Sequence, residues 1–186
     1  MSAGELDCIV TPKQGNRIPE GAWFCADNGV FGKGYPGEAA WWEWLTALPT
    51  ERCRFAVAPD VVGDAAATMQ TALSWLPKIR SLGIPAAFVA QDGAETVGVP
   101  WGEFDVLFIG GSTEWKLGPH ARELVSETKA RGKDVHMGRV NSAARMRYAA
   151  GIGCDSADGT FIVFGPDQNL PKVLGWLRQV NAPTLI

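Results

Sequence analysis

Short apolar runs that fail to alternate with polar residues constrain this chain most: Cys8 to Val10, Ala22 to Ala26, Phe55 to Ala58, Ala86 to Ala90, Val106 to Ile109 and Val135 to Met137. A strand with one wet face alternates, so runs without alternation predict strands buried on both faces, as in a parallel sheet covered by helices. Helical patterns lie between them. Asp64 is placed to cap a helix through about Arg80 that carries Pro77 and closes at Leu82-Gly83-Ile84-Pro85. Pro119 opens another through Lys129, closed by Arg131-Gly132, and Asn141 or Ser142 caps a third through Ala150. Trp41-Trp42-Glu43-Trp44-Leu45 reads as an amphipathic helix packing its tryptophans. The repeated order of strand and helix predicts an α/β protein with right-handed crossovers.

The residues that follow these runs choose between an open sheet and a barrel. Asp27, Asp60, Gln91, Gly110-Gly111, Gly138 and Asp155 or Asp158 stand at nearly every strand end. Polar residues converging from the carboxyl ends of all strands are the barrel pattern, whereas an open sheet gathers its site at one switch point. We therefore expect residues 1–186 to form a single domain, a compact (β/α)8 TIM-type barrel. At 186 residues the chain falls below the usual barrel length, which requires short or missing helices.

The net charge of -3 and the pI near 5.4 exclude a protein coated in basic charge for non-specific nucleic-acid binding, but leave room for a local basic cleft. Cys8, Cys25, Cys53 and Cys154 show no CxxC spacing and sit in or beside apolar runs, which suits reduced, buried thiols in a cytoplasmic protein. The MSAGELDCIV start has no basic region followed by a long apolar stretch, and no segment resembles a membrane span. The expectation is a soluble, unprocessed cytoplasmic protein.

Which chemistry the strand ends allow turns on "FCADNGVFGKG", residues 24–34. A phosphate loop would need glycine where Asp27 stands and Ser or Thr where Gly34 stands, and the spacing Gly29-x-x-Gly32-x-Gly34 is not that of a dinucleotide fingerprint. His120 and His136 are the only histidines and no G-x-S-x-G elbow accompanies them, so Ser-His or Cys-His nucleophilic catalysis has little support. No cluster has metal-ligand spacing, although Asp60 and Asp64 are close enough in sequence to share a magnesium ion. A pair of carboxylates suits chemistry at an anomeric carbon, where one attacks or stabilises an oxocarbenium-like centre and the other moves protons. Each aspartate alone is equally explained as a cap or an Asx-turn, and Asp64 is better read as a cap than a catalyst. Phe31 and Met137 are core residues by default, yet their positions also permit the two faces of a stacking slot.

In this order the residues resemble the tRNA-guanine transglycosylases, and more closely the phage and bacterial deazapurine DNA modification transglycosylases. Ala26-Asp27-Asn28-Gly29-Val30-Phe31 is similar to the family's DSGGF or DSGGY motif, Ala58-Pro59-Asp60 to its Phe-Asp element, and Val89-Ala90-Gln91-Asp92-Gly93 to VQGG. Phe108-Ile109-Gly110-Gly111 matches its glycine pair, His136-Met137-Gly138 its LMG, and Gly153-Cys154-Asp155-Ser156-Ala157-Asp158 its GIDMFD. The resemblance runs from about Trp23 to Thr160. It implies that Asp158 is the nucleophile at the sugar C1′ and Asp27 the general acid/base. It also implies that Phe31 and Met137 sandwich the base, while Asp60, Gln91 and the backbone donors of Gly110 and Gly111, next to Gly138, read its edge.

The chain departs from the family at Asn28, Val30 and Asp92, and it ends without the three-cysteine, one-histidine zinc site of the tRNA enzymes. The expected activity is therefore exchange of guanine in DNA for a 7-deazaguanine such as 7-cyano-7-deazaguanine, through a covalent aspartyl-glycosyl intermediate. The partners are DNA with a flipped guanosine and a free deazaguanine base; a homodimer is compatible, no membrane is involved, and no cofactor or metal is implied. If the protein is phage-encoded, the compartment is the host cytoplasm. Base flipping calls for a basic rim. Lys33, Lys116 and Arg139 are assigned to the nucleic-acid backbone, with Arg145 and Arg147 read as solvated cations and Trp115 as either packing or stacking. Two other activities share these residues: a nucleosidase or nucleoside deoxyribosyltransferase acting on small nucleosides, and a non-catalytic binder of a modified base or nucleotide.

Overall fold

The structure, a computed structural model, describes residues 6–15 and 17–182. Seven parallel strands follow one another in chain order: β1 (Cys8–Val10), β2 (Phe24–Ala26), β3 (Cys53–Val57), β4 (Ala86–Ala90), β5 (Val106–Ile109), β6 (Asp134–Met137) and β7 (Ser156–Ala157). Helices α1 (Glu38–Thr46), α2 (Ala65–Ser81), α3 (Ala94–Val97), α4 (Thr113–Lys116), α5 (Pro119–Ala130), α6 (Ala143–Ile152) and α7 (Pro166–Asn181) fill the connections and the end of the chain. A sheet whose strands neighbour one another in sequence order, with no switch point, curls in one direction as a TIM-type barrel does.

The expected closed eight-stranded barrel does not form among the described residues. Seven strands make a curled half-barrel, and β7 does not pair with β1. A parallel eighth strand needs a crossover before it, and here that crossover fills the rest of the described residues. Asn141 Oδ1 accepts the backbone N–H groups of Thr160 (2.7 Å) and Phe161 (3.1 Å), which holds the chain in a turn leading to a 3-10 segment, Phe161–Phe164, and then to α7, which runs to Asn181. Helix α7 follows and packs on α6.

The sheet separates two layers. Its outer face carries Phe24, Ala56, Phe88, Leu107, Ile109, Val135 and Met137 against Trp41, Leu45, Trp75, Leu76, Ile79, Leu124 and Val125 of the helices. The inner face carries Cys25, Phe55, Val57, Ala87, Val89, Val106 and Phe108, with Ile9 at one margin. Burial on both faces explains why the runs do not alternate. Local signals set the helix ends as read from sequence: Asp64 Oδ1 accepts Ala67 N–H (2.9 Å), Pro119 occupies the first turn of α5, and Ser142 rather than Asn141 caps α6. Trp41 packs edge-on against Trp75, with centroids 5.2 Å apart. All four cysteines are free; Cys25 and Cys53 are buried, while Cys8 and Cys154 are half-buried. No helix among the described residues is long and apolar enough to cross a membrane.

Candidate active site

Inner-face parity continues past the strand ends, and that is what assembles the site. Counting by twos from Cys25, Val89, Phe108 and His136 leads to Asp27, Gln91, Gly110 and Gly138, and from Ser156 to Asp158. These residues line one cavity of about 510 Å³, with Asn28, Phe31 and Asp60, floored by the apolar side chains of Ile9, Val57, Val89 and Phe108. Strand registry thus delivers polar groups to the rim of an apolar bowl.

Asp27 sits at the turn after β2. Its Oδ1 accepts Gly29 N–H (2.6 Å), and Gly29, at φ +79°, turns the chain so that its carbonyl meets Gly34 N–H (2.8 Å). The Asx-turn and the cavity position therefore coexist in one residue. Burial, then the neighbouring charges of Asp158 and Asp60, outweigh the Gly29 hydrogen bond and lift its pKa to about 6. A carboxyl so placed is mostly ionised at pH 7, but close enough to its pKa to take and give a proton there.

Asp158 lies across the cavity on the loop after β7, with its Oδ1 on the backbone N–H of Arg139. Among the described residues its Oδ2 takes no donor. Asp155, the other acid in that motif, is spent on structure: both oxygens meet Lys129 Nζ (2.6 and 2.7 Å) and Oδ2 accepts Val135 N–H (2.8 Å). It does not line the cavity, so the geometry singles out Asp158.

Asp60 is held at both oxygens, by Asn28 Nδ2 (2.8 Å) and Gln91 Nε2 (2.6 Å), and burial raises its pKa. Gln91 Oε1 in turn accepts the N–H groups of Gly63 and Gly111, each at 3.0 Å. Asn28 also donates to the Ala58 carbonyl and accepts Val30 N–H, both at 2.8 Å, and so ties the β2 loop to the β3 loop. Nothing in the sequence pattern announced this role. Asp64 Oδ1 is engaged in its cap and Asp64 does not line the cavity, and the described residues contain no cluster of three or more metal-ligating side chains.

Several assignments are corrected by the geometry. Met137 is fully buried in the outer layer, because its inner-facing neighbour is His136; it lines no part of the cavity and forms no stacking wall. The Gly110 and Gly111 amides are not free donors: Gly110 N–H meets the Ala90 carbonyl (3.0 Å) and Gly111 N–H meets Gln91. Those glycines supply clearance, since a Cβ on Gly110 would lie 2.7 Å from Val89 Cγ1 and one on Gly111 2.7 Å from the Trp115 ring. Lys116 is not on a nucleic-acid rim. It is 1% exposed, its Nζ donates to the Gly138 carbonyl (2.5 Å), and burial together with Arg139 lowers its pKa to about 8. Arg139 also turns inward, donating to the Gly111 carbonyl with its guanidinium 4.4 Å from the Phe31 ring centroid. Trp115 packs, with its Nε1 on Glu95 (2.9 Å). Lys33 is exposed at the mouth, and Lys13, which sequence reasoning passed over, lines it.

His136 packs under the cavity floor between Phe55 and Phe108, with Nδ1 2.8 Å from Ser156 Oγ. Burial lowers its pKa to about 4, so it is neutral at pH 7.

Neither a family model nor a curated protein matches the chain. Among solved structures, a tryptophan synthase from M. tuberculosis is similar, at 16% identity and a TM-score of 0.49, over 86% of this chain. The chain spans 59% of the length of that protein. A likeness at that level bears on neither substrate nor chemistry.

Proposed function

We propose that this protein is a base-exchange transglycosylase acting on a guanine nucleotide, with DNA as the acceptor and a 7-deazaguanine as the incoming base. The observation that carries the reading is the placement of Asp27 and Asp158 on one cavity, the first a carboxyl able to exchange a proton near pH 6 and the second with an unengaged oxygen. Asp158 Oδ2 attacks C1′ while the bond from C1′ to the base nitrogen breaks, and the departing base takes the proton from Asp27. The incoming base returns a proton to Asp27 as its nitrogen attacks C1′ and releases Asp158. Two displacements retain the sugar configuration, as in retaining glycosidases with a base in place of water. The apolar floor and the exposed ring of Phe31 suit a flat heterocycle, and Asp60 with the remaining N–H of Gln91 offers polar groups to its edge.

One observation favours a second reading. With Lys116 buried and Arg139 turned inward, two of the cations assigned to a DNA backbone are engaged inside the protein, which fits exchange on free nucleosides. Incubation with DNA, or with deoxyguanosine, and labelled 7-cyano-7-deazaguanine separates the two. Label entering DNA and lost with Asp158→Ala is the expected result; label entering only free nucleoside selects the second reading, and transfer surviving the substitution contradicts both.

A further inference from the structure

With Met137 turned into the helix layer, a flat ligand lying on Phe31 needs another second wall. The group that faces Phe31 is Arg139. Its guanidinium carbon lies 4.4 Å from the ring centroid, and Phe31 is 61% exposed. We propose that Arg139 is the second planar wall of the slot, and that the ligand ring inserts between its guanidinium and Phe31. The inference rests on the reading of this cavity as a base site.

The backbone of Arg139 is built to hold that position. It adopts φ +61°, a region that residues other than glycine rarely enter, and its neighbours enforce it. Its N–H goes to Asp158 Oδ1 and its carbonyl accepts Arg145 Nη1 (3.3 Å). The stem is therefore fixed to the proposed nucleophile, while the long side chain spans to the Gly111 carbonyl and Phe31. A guanidinium is flat, weakly hydrated and stacks on ring faces, which a lysine ammonium does not do.

At 4.4 Å the guanidinium already rests on Phe31, so an inserted ring, about 3.5 Å thick, must lift it by that amount. Lifting breaks the bond to the Gly111 carbonyl and leaves that acceptor facing the slot. The ligand class that replaces the lost bond is a planar heterocycle with N–H donors on one edge. Guanine and 7-deazaguanine both carry them.

Calorimetry and ultraviolet hypochromism with guanine and 7-deazaguanine test this on the whole chain. Arg139→Lys, which keeps the charge and loses the plane, should weaken binding about tenfold or more and reduce the hypochromism, as should Phe31→Leu. The double variant should lose less than the product of the two. Wild-type affinity in Arg139→Lys, or tighter binding in Arg139→Ala, would overturn the wall and make Arg139 a plug. If Arg139→Lys binds as wild type yet a sugar adduct still forms on Asp158, this inference alone fails; if wild type binds no purine, both readings fail.

Discussion

Asp27 ties local folding to chemistry most directly. Its carboxyl closes an Asx-turn and faces the cavity, and its raised pKa has a consequence for stability whose sign is fixed. The folded protein holds this proton up to about pH 6, while the unfolded chain releases it near 3.8. Folding stability from this group is therefore highest below pH 4 and declines as pH rises to 6, costing roughly 1–3 kcal/mol above that, with solvent screening at a half-buried site favouring the low end. Asp27→Asn should abolish transfer yet unfold at a higher temperature than wild type at pH 7, with the difference vanishing near pH 4; calorimetric melting at several pH values checks this. The alkaline limb of kcat/KM for the guanine substrate should bend near pH 6 in the wild type, because Asp27 must carry its proton for the base to leave. That Asp27 would line the cavity was legible from its place after a strand, whereas the strand ends left Asp155 or Asp158 open and only the resemblance pointed to Asp158. That Met137 could not share it was legible too, since alternation puts Met137 and His136 on opposite faces, and the resemblance overrode that count. The commitments of Lys116 and Arg139 were not legible. They depend on which carbonyls the β5 and β6 loops present, and those contacts lie 22 and 28 residues away in the chain.

At the scale of elements, strand ends hold the site only if the loops between them stay in register. The β4 and β5 loops are joined by Asp92, which accepts Ser112 N–H and Oγ–H, each at 2.6 Å. Desolvation would raise the pKa of Asp92, but these bonds and the charge of Arg139 bring it below the ordinary carboxylate value. Asp92 thus braces the β4 loop against the β5 loop. Gly111 stands in that brace at φ +64° with no room for a Cβ, so Gly111→Ala should cost about 2–4 kcal/mol by chemical denaturation. Lys116→Met keeps most of the volume of the buried stem and removes the donor to the Gly138 carbonyl. It should lower kcat more than it raises KM, because the Gly138-Arg139 turn it holds carries the N–H bound to Asp158. Equal loss in both parameters would argue against that positioning role.

For the whole molecule, the order of strands was readable because burial on both faces suppresses alternation, and Asp64, Pro119 and Ser142 mark where three of the helices begin. The seventh strand was not, because two residues, Ser156 and Ala157, give no periodic signal. Nor was the open seam: after β7 the chain enters a turn held by Asn141 and then helix α7, which reaches the end of the described residues. Asn141→Ala should loosen that turn and the adjoining Asp158, and hydrogen exchange should rise at Thr160 and Phe161 while the amides of β4 and β5 stay protected. A curled sheet open on one side still brings Asp27 from its second strand and Asp158 from beyond its seventh to one cavity, and the account rests on that meeting. The most direct test is intact-mass spectrometry of the wild type, quenched in acid after incubation with guanine-containing DNA or deoxyguanosine and no incoming base, followed by peptide mapping. The account predicts a sugar adduct on Asp158 that is absent from Asp158→Ala. An adduct on another residue, or base exchange in the wild type with none formed at Asp158, would contradict it.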